Sequence, residues 1–359
     1  MLRALLAPLL LVPALLVPAL LAHSPAQSLV VSTPGAPEPV LRALHLHAQV
    51  FSHGFAARLT SAQLQTLRRV PGLVVEPDRA LRLTSTQSTS SWGLDRIDQR
   101  SLPLNGHYRY PSTASTVHAY VIDTGIATSH PDFGGRAAVA FDALGGNGQD
   151  CNGHGTHVAG IVGGTTYGVA KRVRLEAVRV MDCSGRSSTS AVLAGIDWVR
   201  QHAVKPAVAN LSLGGSFSAV LDRAVDDLAD SGVFVAVAAG NSAADACQSS
   251  PAAAGRVVAV AASTRTDARA PWSNVGSCVD LFAPGLDITS DWPGGGTKVA
   301  SGTSMATPFV TGAAAVYLSK HPSDSTPTVN AWLEGHSTTG KLKHDPSGTP
   351  NRLLYTGAI

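Results

Sequence analysis

Apolar and polar positions follow two different rhythms along this chain. From residue 115 onward, short runs that are almost wholly apolar and rich in β-branched residues recur at 117–122, 175–180, 207–213, 233–238 and 257–262. Between them, apolar positions recur at helical spacing over 154–162, 190–202 and 219–229. Strands that are apolar on both faces and separated by helices predict a parallel sheet covered on both sides. The expected fold class is therefore α/β, a doubly wound, mainly parallel sheet flanked by helices, with its sites beyond the carboxyl ends of the strands.

The first hundred residues read differently. Arg3 precedes an apolar run over 5–21 that is broken by Pro8, Pro13 and Pro18, and small residues follow, with Ala22 or Ala26 as possible cleavage points. This is the pattern of an export signal at residues 1–22, its end lying between 22 and 26. No other stretch is apolar enough to span a bilayer, so no stable membrane association is expected. A Pro-rich connector at 33–39 leads to a run containing Gln49, Phe51, His53, Phe55 and Arg58 that reads as strand. Residues 60–69 read as a helix, with Thr60 or Ser61 as N-cap and Leu64 and Leu67 on one face. Pro71-Gly72 ends it, and residues 73–78 read as a further strand. Residues 40–83 therefore form a small α+β unit of their own.

The chain has 359 residues, 44% of them hydrophobic, which is enough for one large core and one small one. A formal net charge of +3 is too mild to point to nucleic acid. Four cysteines in an exported chain point to two disulfides, and three pairings are open.

Three strings carry the chemistry. Val121-Ile122-Asp123-Thr124-Gly125 ends an apolar strand on a carboxylate. His154-Gly155-Thr156-His157-Val158-Ala159-Gly160 opens a helix of small residues. Gly302-Thr303-Ser304-Met305-Ala306-Thr307-Pro308 places a serine at a glycine-preceded turn into an apolar helix. A hydroxyl is a weak nucleophile near neutral pH and needs a base beside it. The base in turn needs an anion that fixes its tautomer and stabilises its cation. Asp123, His154 and Ser304 supply one group for each role, in the chain order Asp, His, Ser of one lineage of serine hydrolases. At a helix start, local N–H groups and the helix dipole favour developing negative charge near Ser304. Pro308 is tolerable only if the helix has barely begun there. A zinc reading of His154 and His157 lacks both the H-E-x-x-H spacing and a glutamate base.

Together these strings resemble the subtilisin-like serine proteases, and most closely their proteinase K and aqualysin branch. The resemblance extends from about residue 40 to the end. It implies a subtilisin-like peptidase domain at 85–359, whose start Trp92-Gly93-Leu94-Asp95-Arg96-Ile97-Asp98 is similar to the mature start in that branch. It implies that residues 36–84 are a ferredoxin-like α+β propeptide that assists folding and then inhibits, with Gly54-Phe55-Ala56-Ala57-Arg58-Leu59 and Val75-Glu76-Pro77-Asp78 as its similar strings. Asn241 would lend its side-chain amide to the oxyanion hole. Ser212, Leu213 and Gly214 would pair with substrate as an added strand, with Gly185 on the opposite edge, and Ala238, Ala239 and Gly240 would form the other wall of the primary pocket. Small residues on these walls imply a preference for apolar or aromatic residues before the cut bond. Structural Ca²⁺ is implied at Asp280 with the carbonyls of Gly255 and Val257, and at Asp95, Asp98 and Gln99, with no organic cofactor. The disulfides implied are Cys151–Cys183 and Cys247–Cys278. Two positions depart from the family pattern. Arg186 stands where relatives often carry serine, and Phe309 stands where they commonly carry histidine; the latter should affect packing more than chemistry.

The reading is a secreted, monomeric serine endopeptidase made as a zymogen. Its partners are protein and peptide substrates and its own propeptide as intramolecular inhibitor. An α/β-hydrolase esterase would need G-x-S-x-G, but Ala306 stands where the second Gly belongs, and the acid and His would have to follow the Ser. A catalytically silent binding protein on the same scaffold would have lost a triad member, and none is lost.

Overall fold

The computed structural model describes residues 27–35, 37–78, 80–82, 91–110 and 112–359. The export signal expected at 1–22 and the segment 83–90 lie outside the described residues.

The first unit begins earlier than its sequence pattern indicates. Strand β1 (Gln27–Ser32) runs in its sheet, and Pro34, Gly35 and Pro37 turn the chain into helix α1 (Glu38–Ala43). The segment 33–39 is thus a loop and the start of α1 inside the unit, not a connector ahead of it. The strand-like run at 49–58 is a hairpin of β2 (Gln49–Phe51) and β3 (Gly54–Leu59). Helix α2 (Ser61–Arg68) starts at a capping box, in which Gln63 N–H donates to Thr60 Oγ1 at 3.3 Å and Thr60 N–H donates to Gln63 Oε1 at 2.9 Å. Strand β4 (Val74–Pro77) completes an antiparallel sheet of order β2-β3-β1-β4. This βαββαβ order is the ferredoxin-like arrangement. Leu29, Val31, Phe55, Leu59 and Leu67 form its core. A short strand, β5 (Ala80–Arg82), leaves this unit.

After helix α3 (Trp92–Ile97) the chain lays down the large sheet. Its strands are β6 (His118–Asp123), β7 (Ala137–Asp142), β8 (Arg174–Arg179), β10 (Ala207–Leu211), β12 (Phe234–Ala238), β14 (Val258–Ser263), β15 (Leu281–Pro284), β18 (Thr338–Thr339) and β19 (Arg352–Leu353). They stand in the order β18-β19-β15-β14-β12-β10-β6-β8-β7, parallel except for the β18–β19 pair. Helices α4 (His154–Gly163) and α7 (Thr303–Lys320) cover one face with α8 (Thr326–His336), and α5 (Thr189–His202) and α6 (Ala219–Asp230) cover the other. Shorter pairs complete the fold: β11 (Gly215–Ser216) with β13 (Ser249–Ser250), β16 (Ile288–Trp292) with β17 (Gly296–Ala300), and β9 (Arg186–Ser188) with β5.

From β6 the chain first builds outward to β7 and β8, then returns to place β10 on the other flank of β6. The strand order reverses between β6 and β10, and ligands of such sheets bind at that crevice, beyond the carboxyl ends of the strands. Asp123 closes β6 and Ser212 follows β10 directly.

Both disulfides are formed as the resemblance implies. Cys151–Cys183 ties the loop before α4 to the turn before β9, and Cys247–Cys278 ties two loops on the β12–β15 side. Their separations of 32 and 31 residues correspond to about 3.5 kcal/mol each in the chain-entropy model, as an upper figure.

Candidate active site

Asp123 is fully buried at the end of β6. Its Oδ1 accepts from the N–H of Thr124 at 2.7 Å, and its two oxygens lie 2.8 and 2.9 Å from His154 Nδ1. The ring is the first helical residue of α4, entered through Gly153 at φ +108°. A side chain at 153 would meet the ring of Trp292 at 2.1 Å, so glycine is required there on two counts. With Nδ1 committed to the carboxylate, His154 Nε2 is buried and has no hydrogen-bond partner.

Asp150, outside the three strings that carry the chemistry, sets the entry to α4. Its Oδ1 accepts from Thr124 Oγ1 and from the N–H groups of Asn152 and Gly153. Its Oδ2 accepts from the N–H and hydroxyl of Thr156. One carboxylate thus joins the turn after Asp123 to the first turn carrying His154. Its only signal in the sequence is an acid a few residues ahead of a helix start, where anions are favoured.

Ser304 is the second residue of α7 and 2% exposed. By that position its N–H has no acceptor inside the helix. Its hydroxyl donates to the carbonyl of Ser212 at 3.0 Å, and the hydroxyl of Ser212 donates back to the carbonyl of Ser304 at 2.7 Å. The serine hydroxyl is therefore not bonded to His154 in this structure. Pro308 lies inside α7 rather than at its very start, and the fold accommodates it by bonding the Ser304 carbonyl from outside the helix. Phe309 is buried against α3, where its ring fills the space that a side chain on Gly93 would need.

Asn241 lies just past β12. Its Oδ1 accepts from both the N–H (2.8 Å) and the hydroxyl (2.9 Å) of Thr303. Those donors decide which end of the amide is oxygen, so Nδ2 is the end turned away from Thr303. The loop is held from behind by Asn274, which accepts from Ser242 and Ala244 and donates to Ala239 O. Gly240 sits at φ +104°, and a Cβ there would lie 2.4 Å from Asn274 Nδ2.

His157 is a packed residue. Its Nε2 donates to the carbonyls of Ile288 and Lys298, both at 3.1 Å, and burial pushes its pKa down to about 3. It stays neutral.

Residues 212–214 continue from β10 toward β11, and Gly185 precedes β9 on the other side of a slot. Strand β5 lies in that slot, antiparallel to β9 with Ala80 opposite Ser188 and Arg82 opposite Arg186, and alongside β11. Two carboxylates just before it fasten the first unit to the second. Asp78 accepts from the N–H and hydroxyl of Ser190 in the first turn of α5, and Glu76 Oε1 accepts from the N–H of Val220 in the first turn of α6. Negative charge at helix N-termini is favourable.

The implied calcium positions differ in how well they fit a cation. Asp95 accepts from the N–H groups of Asn105 and Gly106, and Asp98 Oδ2 from that of Arg109. Asp98 Oδ1 and Gln99 Oε1 are buried and have no hydrogen-bond partner. Two orphaned oxygens beside a second carboxylate suit a hard cation that takes oxygen ligands. At the other position, burial pushes Asp280 up to about 6, and its Oδ2 is already engaged by the N–H of Ala259 at 2.7 Å. Among the described residues, no group of three or more His, Cys, Asp or Glu is placed to hold a metal.

The chain is similar to known proteins over most of its length. The model of the subtilase family matches residues 116–352. An extracellular serine proteinase of Thermus sp. (strain Rt41A) is 52% identical over 308 residues, which are 84% of this chain and 75% of that protein. Alkaline serine exoprotease A of Vibrio alginolyticus is 50% identical over 319 residues, 86% of this chain, which spans only 60% of that longer protein. The crystal structure of a cold-adapted subtilisin-like serine proteinase superposes with a TM-score of 0.73 at 50% identity, covering 75% of this chain and 99% of its own.

Proposed function

The chain belongs to the subtilase family and is a serine proteinase, and we propose that it is a secreted endopeptidase whose catalytic triad is Asp123, His154 and Ser304. The observation that carries the assignment is the buried pairing of His154 Nδ1 with Asp123, which leaves Nε2 as the nitrogen able to take a proton. The Ser304 hydroxyl leaves the Ser212 carbonyl by rotation about its side-chain bond and donates to His154 Nε2. It then attacks the scissile carbonyl as His154 takes its proton. The developing oxyanion is met by the N–H of Ser304 and the Asn241 amide, whose Oδ1 is already held by Thr303. Collapse expels the amine with the proton from His154 and leaves an acyl-enzyme. Water, deprotonated by the same imidazole, releases the acid and restores Ser304.

Substrate would enter as a strand between residues 212–214 and the Gly185–Ser188 edge, which is recognition by strand addition. Strand β5 already adopts that pairing with β9. The small residues Ala238, Ala239 and Gly240 leave room for an apolar or aromatic side chain before the cut bond. The same pairing supports a zymogen. The unit up to residue 84, including β1, acts as an inhibitory propeptide whose last described strand blocks the slot, and autocatalytic cleavage falls between 83 and 88.

Export follows from the leader at 1–22 and agrees with the extracellular relative; among the described residues no helix is long and apolar enough to cross a membrane. The enzyme is expected to act as a monomer without an organic cofactor. Calcium would be held by Asp95, Asp98 and Gln99, and more weakly by Asp280 with the carbonyls of Gly255 and Val257. There it would neutralise half-buried carboxylates and tie loops together.

A fluorophosphonate probe tests the nucleophile directly. The adduct is expected on Ser304 and nowhere in Ser304→Ala; an adduct on another serine overturns the assignment.

A further inference from the structure

The carbonyl of Ser304 faces a problem that its own helix creates. The residue four positions on is Pro308, which has no N–H to give. Ser212 Oγ supplies the donor at 2.7 Å, in a setting where Ser212 is 0% and Ser304 2% exposed. A hydroxyl carries one proton, and its neighbours decide where that proton points. Asn210 Nδ2 donates to Ser212 Oγ at 2.8 Å, so the proton of Ser212 is directed away from Asn210 and onto Ser304. The Asn210 amide meets a further hydroxyl one step back. Thr311 Oγ1 donates to Asn210 Oδ1 at 2.9 Å, and this threonine lies on the same helix as Ser304, two turns along. Asn210, Ser212 and Thr311 are all fully buried, so bulk water does not compete for any of these bonds.

The opposite amide orientation is chemically available. Thr311 would then turn its proton onto the carbonyl of Thr307, which it already approaches at 3.3 Å, and accept from Asn210. Asn210 would accept the proton of Ser212, and the Ser304 carbonyl would lose its outside donor. The direction of the relay therefore decides whether the nucleophile's backbone is clamped.

We propose that Asn210 and Thr311 are positioning residues for the catalytic serine, acting through the hydroxyl of Ser212. The proposal rests on Ser304 being the nucleophile. The clamp holds the Cα of Ser304 fixed while its hydroxyl swings from the Ser212 carbonyl to His154. A nucleophile that must rotate before each turnover depends on a fixed pivot, since small misplacements are costly in rate. The relay should therefore act on kcat and leave substrate binding nearly alone.

The test uses the full chain, matured by its own processing, with four variants. Ser212→Ala removes the clamp. Asn210→Asp keeps the shape but replaces the donor by an acceptor, which draws the Ser212 proton off Ser304. Thr311→Val removes the first donor, and Thr311→Ser restores it. For each, kcat is measured per active site, the sites being counted by burst titration with an acylating peptide ester, together with KM and Tm. The expected result is a loss in kcat of about tenfold, or about 1.4 kcal/mol, for the first three variants. KM should stay within about twofold, and Thr311→Ser should recover most of the wild-type rate. If kcat per titrated site is unchanged while only Tm falls, the relay is packing alone and the proposal is overturned. Should Asn210→Asp fail to mature, Ser212→Ala and the two Thr311 variants still decide the matter. Peptidase activity in Ser304→Ala would instead overturn the nucleophile assignment, which separates that failure from failure of the relay.

Discussion

The carboxylate of Asp78 grips the first turn of α5 through a single residue, accepting from the N–H of Ser190 at 3.0 Å and from its hydroxyl at 2.7 Å. At α6, Glu76 Oε1 accepts the single N–H of Val220 at 3.2 Å. The two helices that cover one face of the large sheet thus each receive a carboxylate at the N-terminus from the first unit, two and four residues before the strand in the slot. Each contact joins a charge-assisted hydrogen bond to a favourable helix dipole, worth about 1.5–3 kcal/mol for the bond. Asp78→Asn and Glu76→Gln are expected to shorten the lifetime of the processed but still bound propeptide by about tenfold or more. The lag between cleavage and full peptidase activity measures this, and an unchanged lag would contradict the anchoring role.

That interface should also respond to pH. Asp222, in the first turn of α6, is pushed up to about 6 by burial, with smaller contributions from Asp226 on its own helix and from Glu76 across the interface; a bond from Ser250 opposes the shift. Arg223 and Arg256 line the same surface hollow. Asp222 Oδ1 and Glu76 Oε2 are both buried without a hydrogen-bond partner. Loss of Glu76 on release lets Asp222 give up its proton more readily, so the affinity of the first unit falls as pH rises toward about 6 and levels off above. Propeptide release should accelerate over that window, and Asp222→Asn should remove the acceleration. A variant with the wild-type pH profile would rule Asp222 out as its source.

A second buried carboxyl acts on stability. Asp291 on β16 is pushed up to about 8, first by burial and then by the nearby Asp132, while Arg136 opposes the shift. Neither of its oxygens has a hydrogen-bond partner. The folded pKa lies above the unfolded one, so the folded chain binds more protons between about pH 4 and pH 8. Stability contributed by the protonated form is complete below pH 4 and is lost as pH rises through 8. Asp291→Asn should raise Tm relative to wild type at pH 9 and change it little at pH 4. Equal shifts at both values would show that ionisation of Asp291 is not responsible.

The sequence carried the architecture of the large sheet well, because strands apolar on both faces and the small-residue strings at 121–125, 154–160 and 302–308 are local signals. The boundaries that it missed depend on distant partners. Strand β1 is recognisable only through its pairing with β3 and β4, and a Pro-rich turn after it reads as a linker. Strand β7 is an edge strand of mixed exposure, so its alternation is weak. Asp150 and the Asn210–Ser212–Thr311 relay are common polar residues whose roles appear only when three chain segments meet. The resting position of the Ser304 hydroxyl on Ser212, away from His154, likewise has no expression in sequence.

Calcium should bind through groups whose oxygens lack other partners. Removing it with EDTA is expected to lower Tm, and readdition to restore it. Asp98→Asn should weaken the response more than Asp280→Asn, since Asp98 Oδ1 and Gln99 Oε1 are orphaned while Asp280 already accepts from Ala259. A Tm indifferent to both EDTA and Asp98→Asn would remove the case for a cation at that position.

The central claim is that Ser304 is the nucleophile of a self-processing protease. Intact mass of the exported wild type and of Ser304→Ala tests it most directly. The account predicts that the wild type loses a segment ending between Leu83 and Gln87 while Ser304→Ala retains it. Identical processing of both, together with peptidase activity in purified Ser304→Ala, would contradict it.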